Sequence, residues 1–166
     1  MHFRRVARFM LPGLALALPL VLPLVLGGCA MVNDKALRLF SSKANAFAIV
    51  NGQLLQGDMV FLPDRTGNLT LIADKGAISS CSGQVRYEST TGGAIDLRCN
   101  DGTAAQLRYS LLSETRGYAY GPTTLGATTG AASLTFGLSA NQALAYLTVP
   151  ADKKLTVNAA EGLDLQ

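Results

Sequence analysis

The sequence contains no tryptophan and a single histidine, His2. That histidine lies at the extreme start of the chain, so the body of the protein has none. This shortage narrows the chemistry. A Ser-His-Asp triad or a Cys-His pair needs an imidazole base, and the commonest ligand of transition metals is missing as well. Cysteine is scarce: Cys29, Cys81 and Cys99, with no C-x-x-C spacing. No glycine-rich phosphate loop leads into a helix, and Asp101-Gly102 does not sit in an EF-hand pattern. These absences lead us to expect no metal, no other cofactor and no enzyme of the nucleophile-histidine kind.

The first residues carry a different message. Arg4, Arg5 and Arg8 form a basic start, an apolar run covers 9–26, and Gly27, Gly28 and Cys29 follow. A charged start, an apolar middle and small residues before a cut site describe a secretory signal. The run is about long enough to cross a bilayer as a helix. However, Pro12, Pro19 and Pro23 oppose one unbroken helix, since each removes a donor and clashes with the preceding turn.

Leu26-Gly27-Gly28-Cys29 resembles the lipobox of bacterial lipoproteins. The resemblance implies lipid transfer to the Cys29 thiol, removal of residues 1–28, and acylation of the new amino terminus. Several acyl chains anchor stably where one is marginal. In Gram-negative lipoproteins an aspartate after the cysteine marks retention at the inner membrane. Here the residue is Ala30, so for a Gram-negative host the resemblance implies an outer-membrane anchor facing the periplasm.

Processing would change the charge. Three of the fourteen Lys and Arg precede Cys29 and none of the eleven Asp and Glu does, so the formal +3 belongs to the leader. A near-neutral remainder lacks the field that attracts nucleic acid. It is long enough for one compact domain. The only cysteines left besides the lipidated one are Cys81 and Cys99, and an even pair in an exported domain favours a disulfide.

The pattern beyond residue 45 is that of strands and turns. Residues 29–45 read as the lipidated cysteine and a tether, 46–158 as the β domain, and 159–166 as a loose tail. Asn51-Gly52 between apolar runs signals a two-residue hairpin. Strands are expected over 68–73, 77–87, 93–99 and 103–111. Three-residue turns at 74–76 and 100–102 and a loop near 88–92 would connect them. With these loops the odd residues share one face, including Leu69, Leu71, Val85, Ile95, Leu97, Leu107 and Tyr109. The even face carries Gln84, Arg86, Asp96, Arg98, Gln106 and Arg108. A five-residue loop at 88–92 sets Cys81 opposite Cys99, within disulfide reach. A three-residue loop at 90–92 makes them diagonal neighbours. Residues 117–121 read as a short strand with two tyrosines, 122–132 as a Gly- and Thr-rich loop, and 134–138 as a strand. Ser139 and Gln142 fit a capping box for a short helix through Leu147, stopped by Pro150. The last strand is expected at 155–157. The fold class is mainly β: an antiparallel meander closed as a small barrel or stacked as a sandwich, with one short C-terminal helix.

Several side chains are candidate contacts. Tyr118 and Tyr120 would form an aromatic platform, or pack at the core rim. Arg86, Arg98 and Arg108 would bind an anionic ligand, or form cross-strand ion pairs of little energy. Asp58 with Asp64, or Asp96 with Asp101, would supply paired carboxylates for glycoside hydrolysis, although Asp is also an ordinary turn residue. The leading expectation is a non-catalytic envelope protein, held to the membrane through its N-terminal lipid and binding an envelope protein or glycan, not nucleic acid. The alternatives are a carboxylate-dependent glycan hydrolase and a carrier of a small apolar ligand.

Overall fold

Strand-forming segments joined by tight turns close on themselves. A computed structural model describes residues 41–166. Cys29, the lipobox and residues 1–28 lie outside the described residues, as does most of the expected tether.

Eight strands form a closed antiparallel barrel in sequence order: β1 (Ser42–Val50), β2 (Gln53–Phe61), β3 (Thr66–Ile72), β4 (Ser80–Tyr87), β5 (Gly92–Cys99), β6 (Ala104–Ser113), β7 (Arg116–Leu125) and β8 (Thr128–Phe136). β8 pairs back onto β1, with Phe47 opposite Thr135. Closure leaves no unpaired edge and decides between the barrel and the sandwich. The helix α1 (Ala140–Ala143) and a two-stranded sheet of β9 (Leu155–Val157) and β10 (Leu163–Leu165) follow.

The turns show how local sequence sets register. Asn51 and Gly52 both take positive φ, 49° and 75°, as a type I′ turn requires, and Val50 pairs with Gln53. The turn at 100–102 is the expected three-residue loop, with Gly102 left-handed at φ 91°. The 88–92 loop has the longer form, so Tyr87 faces Gly93 and Cys81 faces Cys99. These cysteines form a disulfide, their Cα atoms 3.9 Å apart.

Facing follows from register. From β2 to β7 the odd residues point inward. In β1 and β8 the even ones do, because the two-residue turns at 51–52 and 126–127 invert parity. The interior is filled by Leu55, Met59, Leu69, Leu71, Val85, Ile95, Leu97, Leu107, Leu134 and Phe136, all nearly or wholly inaccessible. An eight-stranded barrel is only just wide enough for its own side chains. Small residues make room: Ala44, Ala46 and Ala48 line β1. A Cβ at Gly117 would lie 2.6 Å from the Phe136 ring.

Five boundaries differ from expectation. The first strand begins at Ser42 instead of 46, because Ala44 faces inward while Lys43 and Asn45 face out, an alternation too small in side chains to stand out. The β3–β4 connection spans 73–79, not three residues. The extra length carries Ile78, buried at the barrel end, where the Gln53 amide brackets its backbone N–H and C=O. Residues 122–132 are not a loop: β7 and β8 continue through them to a turn at 126–127. Their threonines and glycines show no alternation of large residues, yet Thr123 faces inward and is buried. The helix ends at Ala143, after which Ala145 and Tyr146 bond three residues back and tighten the chain; its capping box of Ser139 and Gln142 is present.

The fifth is the tail, which is not loose. β10 pairs with β9, and Leu163 is fully buried. Gln56 on the outer face of β2 donates to Leu163 O (2.9 Å) and accepts from Leu163 N (3.4 Å). With Ala140, Ala143 and Leu147, Leu163 covers the outward-facing Phe47 and Ile49. One side of the barrel is thus sheathed by the C-terminal segment, which also reaches the Tyr118–Tyr120 end of β7, whereas among the described residues nothing covers the outer face of β3 to β6.

Candidate functional site

The uncovered face is built from cross-strand rows. Parity is preserved from β3 through β7, so outward residues of neighbouring strands stand directly opposite one another. One row runs Thr70, Ser82, Arg98, Ala104, Thr124. The next runs Asn68, Gln84, Asp96, Gln106. A third runs Thr66, Arg86, Ala94, Arg108, Tyr120. Residues two apart on a strand are separated by about 6.6 Å and adjacent strands by about 4.8 Å. The first two rows line an open groove of about 970 Å³, with Pro122 at its β7 side.

The charges within these rows divide sharply. Arg86 ion-pairs with Asp96 at 2.5 Å, and Gln106 also donates to Asp96. Arg108 pairs with Glu88. Ala94 between these two arginines faces outward yet is fully buried, as a small residue between long stems is. Arg98 is different. It is exposed, its row neighbours are a serine and an alanine, and among the described residues no carboxylate pairs with it. The structure therefore brings Arg86 and Arg108 into one ion-paired row and leaves Arg98 alone in the groove.

The tyrosines are elsewhere. Tyr118 stacks on Tyr146, centroids 4.9 Å apart at 16°, and Tyr120 Oη donates to Tyr146 O at 2.6 Å. Instead of standing free, both hold the segment after α1 against β7. Burial, reinforced by Tyr118 and Tyr146, raises the Tyr120 pKa.

Each candidate carboxylate has a local partner. Asp58 pairs with Lys43 at 3.0 Å. Asp64 accepts from the backbone and hydroxyl of Thr66, and Asp101 does the same for Thr103. Asp96 is held by Arg86 and Gln106. Neither proposed couple shares a partner or a site. No group of three or more potential metal ligands occurs among the described residues.

At the barrel end where β1 begins, Phe61, Tyr87, Tyr109 and Phe136 pack together, edge to face except for the tilted Phe61–Phe136 pair. Tyr109 is 3% exposed and its hydroxyl has no hydrogen-bond partner among the described residues. Burial pushes its pKa far up. Tyr87, with the Arg65 guanidinium 5.9 Å from its ring, is raised too, burial outweighing that cation.

Sequence reasoning found the polar face, with Gln84 and Gln106 on it, from strand parity. It missed Asn68, Thr70, Ser82 and Thr124, since the longer β3–β4 connection sets the register of Asn68 and Thr70 against β4, and Thr124 lies in the segment expected as a loop. The chain matches no protein-family model, no curated protein and no solved structure.

Proposed function

We propose that this is a non-catalytic binding module of a lipid-anchored envelope protein, and that the groove across β3–β7 is where it meets its partner. In this reading Cys29 carries the lipid, the outer membrane of a Gram-negative host holds the anchor, and the barrel stands on the periplasmic side. The observation that carries it is an open polar groove on a filled barrel, on a face left uncovered among the described residues and holding a guanidinium that no described carboxylate pairs. The filled interior leaves the outer surface to do the binding. The rows of Asn, Gln, Arg and Asp face outward, the reverse of a barrel that crosses a membrane with an apolar outer band.

Two variants of the full chain test the two halves separately. Cys29→Ser should release the protein from membranes and remove the acyl mass. Ser82→Trp, which fills the groove, should leave the protein membrane-bound but abolish its retention of envelope material. An unlipidated wild-type mass would refute the anchor. Unchanged retention by Ser82→Trp would refute the groove.

A further inference from the structure

The proposed groove leaves its ligand open; the structure's own use of amide side chains narrows it. On this barrel four amide side chains bond to backbone groups of neighbouring segments. Gln56 brackets the N–H and C=O of Leu163, and Gln53 brackets those of Ile78. Asn100 accepts from the N–H groups of Ser79 and Ser80, and Asn45 donates to Leu138 O. A primary amide carries both a donor and an acceptor, the complement of a peptide group. Asn68 and Gln84 stand directly opposite each other in the groove, and neither has a side-chain partner among the described residues. Their neighbour Gln106 is only half engaged, through one long bond to Asp96.

Two further features define the occupant. The groove crosses five adjacent strands, roughly 19 Å at their usual spacing, which is the length of about six extended residues. Among the described residues its lining contains no aromatic ring against which a sugar could stack. Arg98, lying one row from Asn68 and Gln84, is a groove cation with no carboxylate partner among the described residues. Its planar fork suits a carboxylate.

Resting on the groove reading above, we propose that the groove binds an extended peptide segment of a partner protein. Asn68 and Gln84 clasp its backbone, and Arg98 pairs with one acidic side chain.

The test uses the full chain purified in mild detergent and an array of acetylated, amidated hexapeptides, each carrying Glu at one position or Gln in its place. The tightest Glu peptide and its Gln twin are then measured in solution. The Glu peptide should bind about tenfold or more tightly than its twin, the difference expected of one charge-assisted pair. Arg98→Gln should erase that difference, and Arg98→Lys should keep part of it. Asn68→Ala with Gln84→Ala should weaken both peptides alike. Circular dichroism checks that each variant remains folded. Equal binding of Glu and Gln peptides, no peptide binding, or a preference that survives Arg98→Gln would overturn the proposal. If chitohexaose binds instead and Ser82→Trp blocks it, the peptide assignment fails and the groove reading stands. If Ser82→Trp leaves envelope retention unchanged, the groove reading itself fails.

Discussion

Replacing Tyr109 by phenylalanine should stabilise this protein. The ring sits edge-on to Tyr87, centroids 5.7 Å apart, and to Phe136 at 6.0 Å, contacts that phenylalanine retains. What disappears is a hydroxyl buried without a partner among the described residues. Leaving such a group unsatisfied costs about 1–3 kcal/mol. The oxygen also fills space, so the net gain should be about 1 kcal/mol or somewhat more, raising Tm by roughly 3–6 °C for a domain of this size. Urea and thermal unfolding under non-reducing conditions would measure it. Alkaline pH should enlarge the difference. Burial holds the folded Tyr109 pKa above the unfolded value of about 10. Between those values the unfolded chain binds fewer protons, so the wild type loses stability as pH rises above about 10. The Tyr109→Phe variant should lose less over the same range. A destabilisation greater than about 0.5 kcal/mol at neutral pH, or an identical alkaline decline, would refute the reasoning, because the hydroxyl would then have a partner in solution.

Three other outcomes follow from the same structure. Reducing Cys81–Cys99, or replacing both cysteines by serine, reopens a 19-residue loop and should cost about 3 kcal/mol in the chain-entropy model; unchanged urea midpoints would contradict this. Gly93→Ala should be severe, costing about 2 kcal/mol or more. Its Cβ would lie 2.0 Å from Arg86 O and 2.8 Å from Tyr109 Oη, and a variant melting within a degree or two of wild type would exclude so close an approach. Gln56→Ala removes both side-chain bonds to the backbone of Leu163, at about 1–2 kcal/mol together. Hydrogen exchange should then quicken selectively at 163–166, and uniform protection would show that burial of Leu163 alone suffices.

How much of this was legible beforehand depended on the range of the interactions involved. Strand parity from Leu69 to Leu111 was readable because side chains alternate along a strand and the loops at 88–92 and 100–102 have defined lengths. The same parity put Cys81 and Cys99 on one face, and the longer of the two expected loops, at 88–92, sets them directly opposite. The capping box at Ser139 and the turn at Asn51-Gly52 were local too, satisfied by side chains and φ angles within a few residues. In contrast, nothing local marked 122–132 as two strands. They pair mainly with each other across the turn at 126–127, but their run of small, mostly exposed residues carries no alternation of large apolar side chains to reveal it.

What the sequence alone determined is therefore local: facing, turn type, the cysteine pair, and the absence of histidine from the body of the chain. Only the tertiary structure decided closure of β8 onto β1, which turned a meander into a barrel. It also placed the C-terminal segment over Phe47 and Ile49, with Leu163 held by Gln56 from more than a hundred residues away. The hairpin registers of β4 to β6 put Arg86 and Arg108 in one row, where each meets a carboxylate, and put Arg98 in a row of its own between Ser82 and Ala104. The physical reason is that an alternating pattern specifies which face a residue is on, whereas its neighbours across that face depend on registers accumulated over five strands.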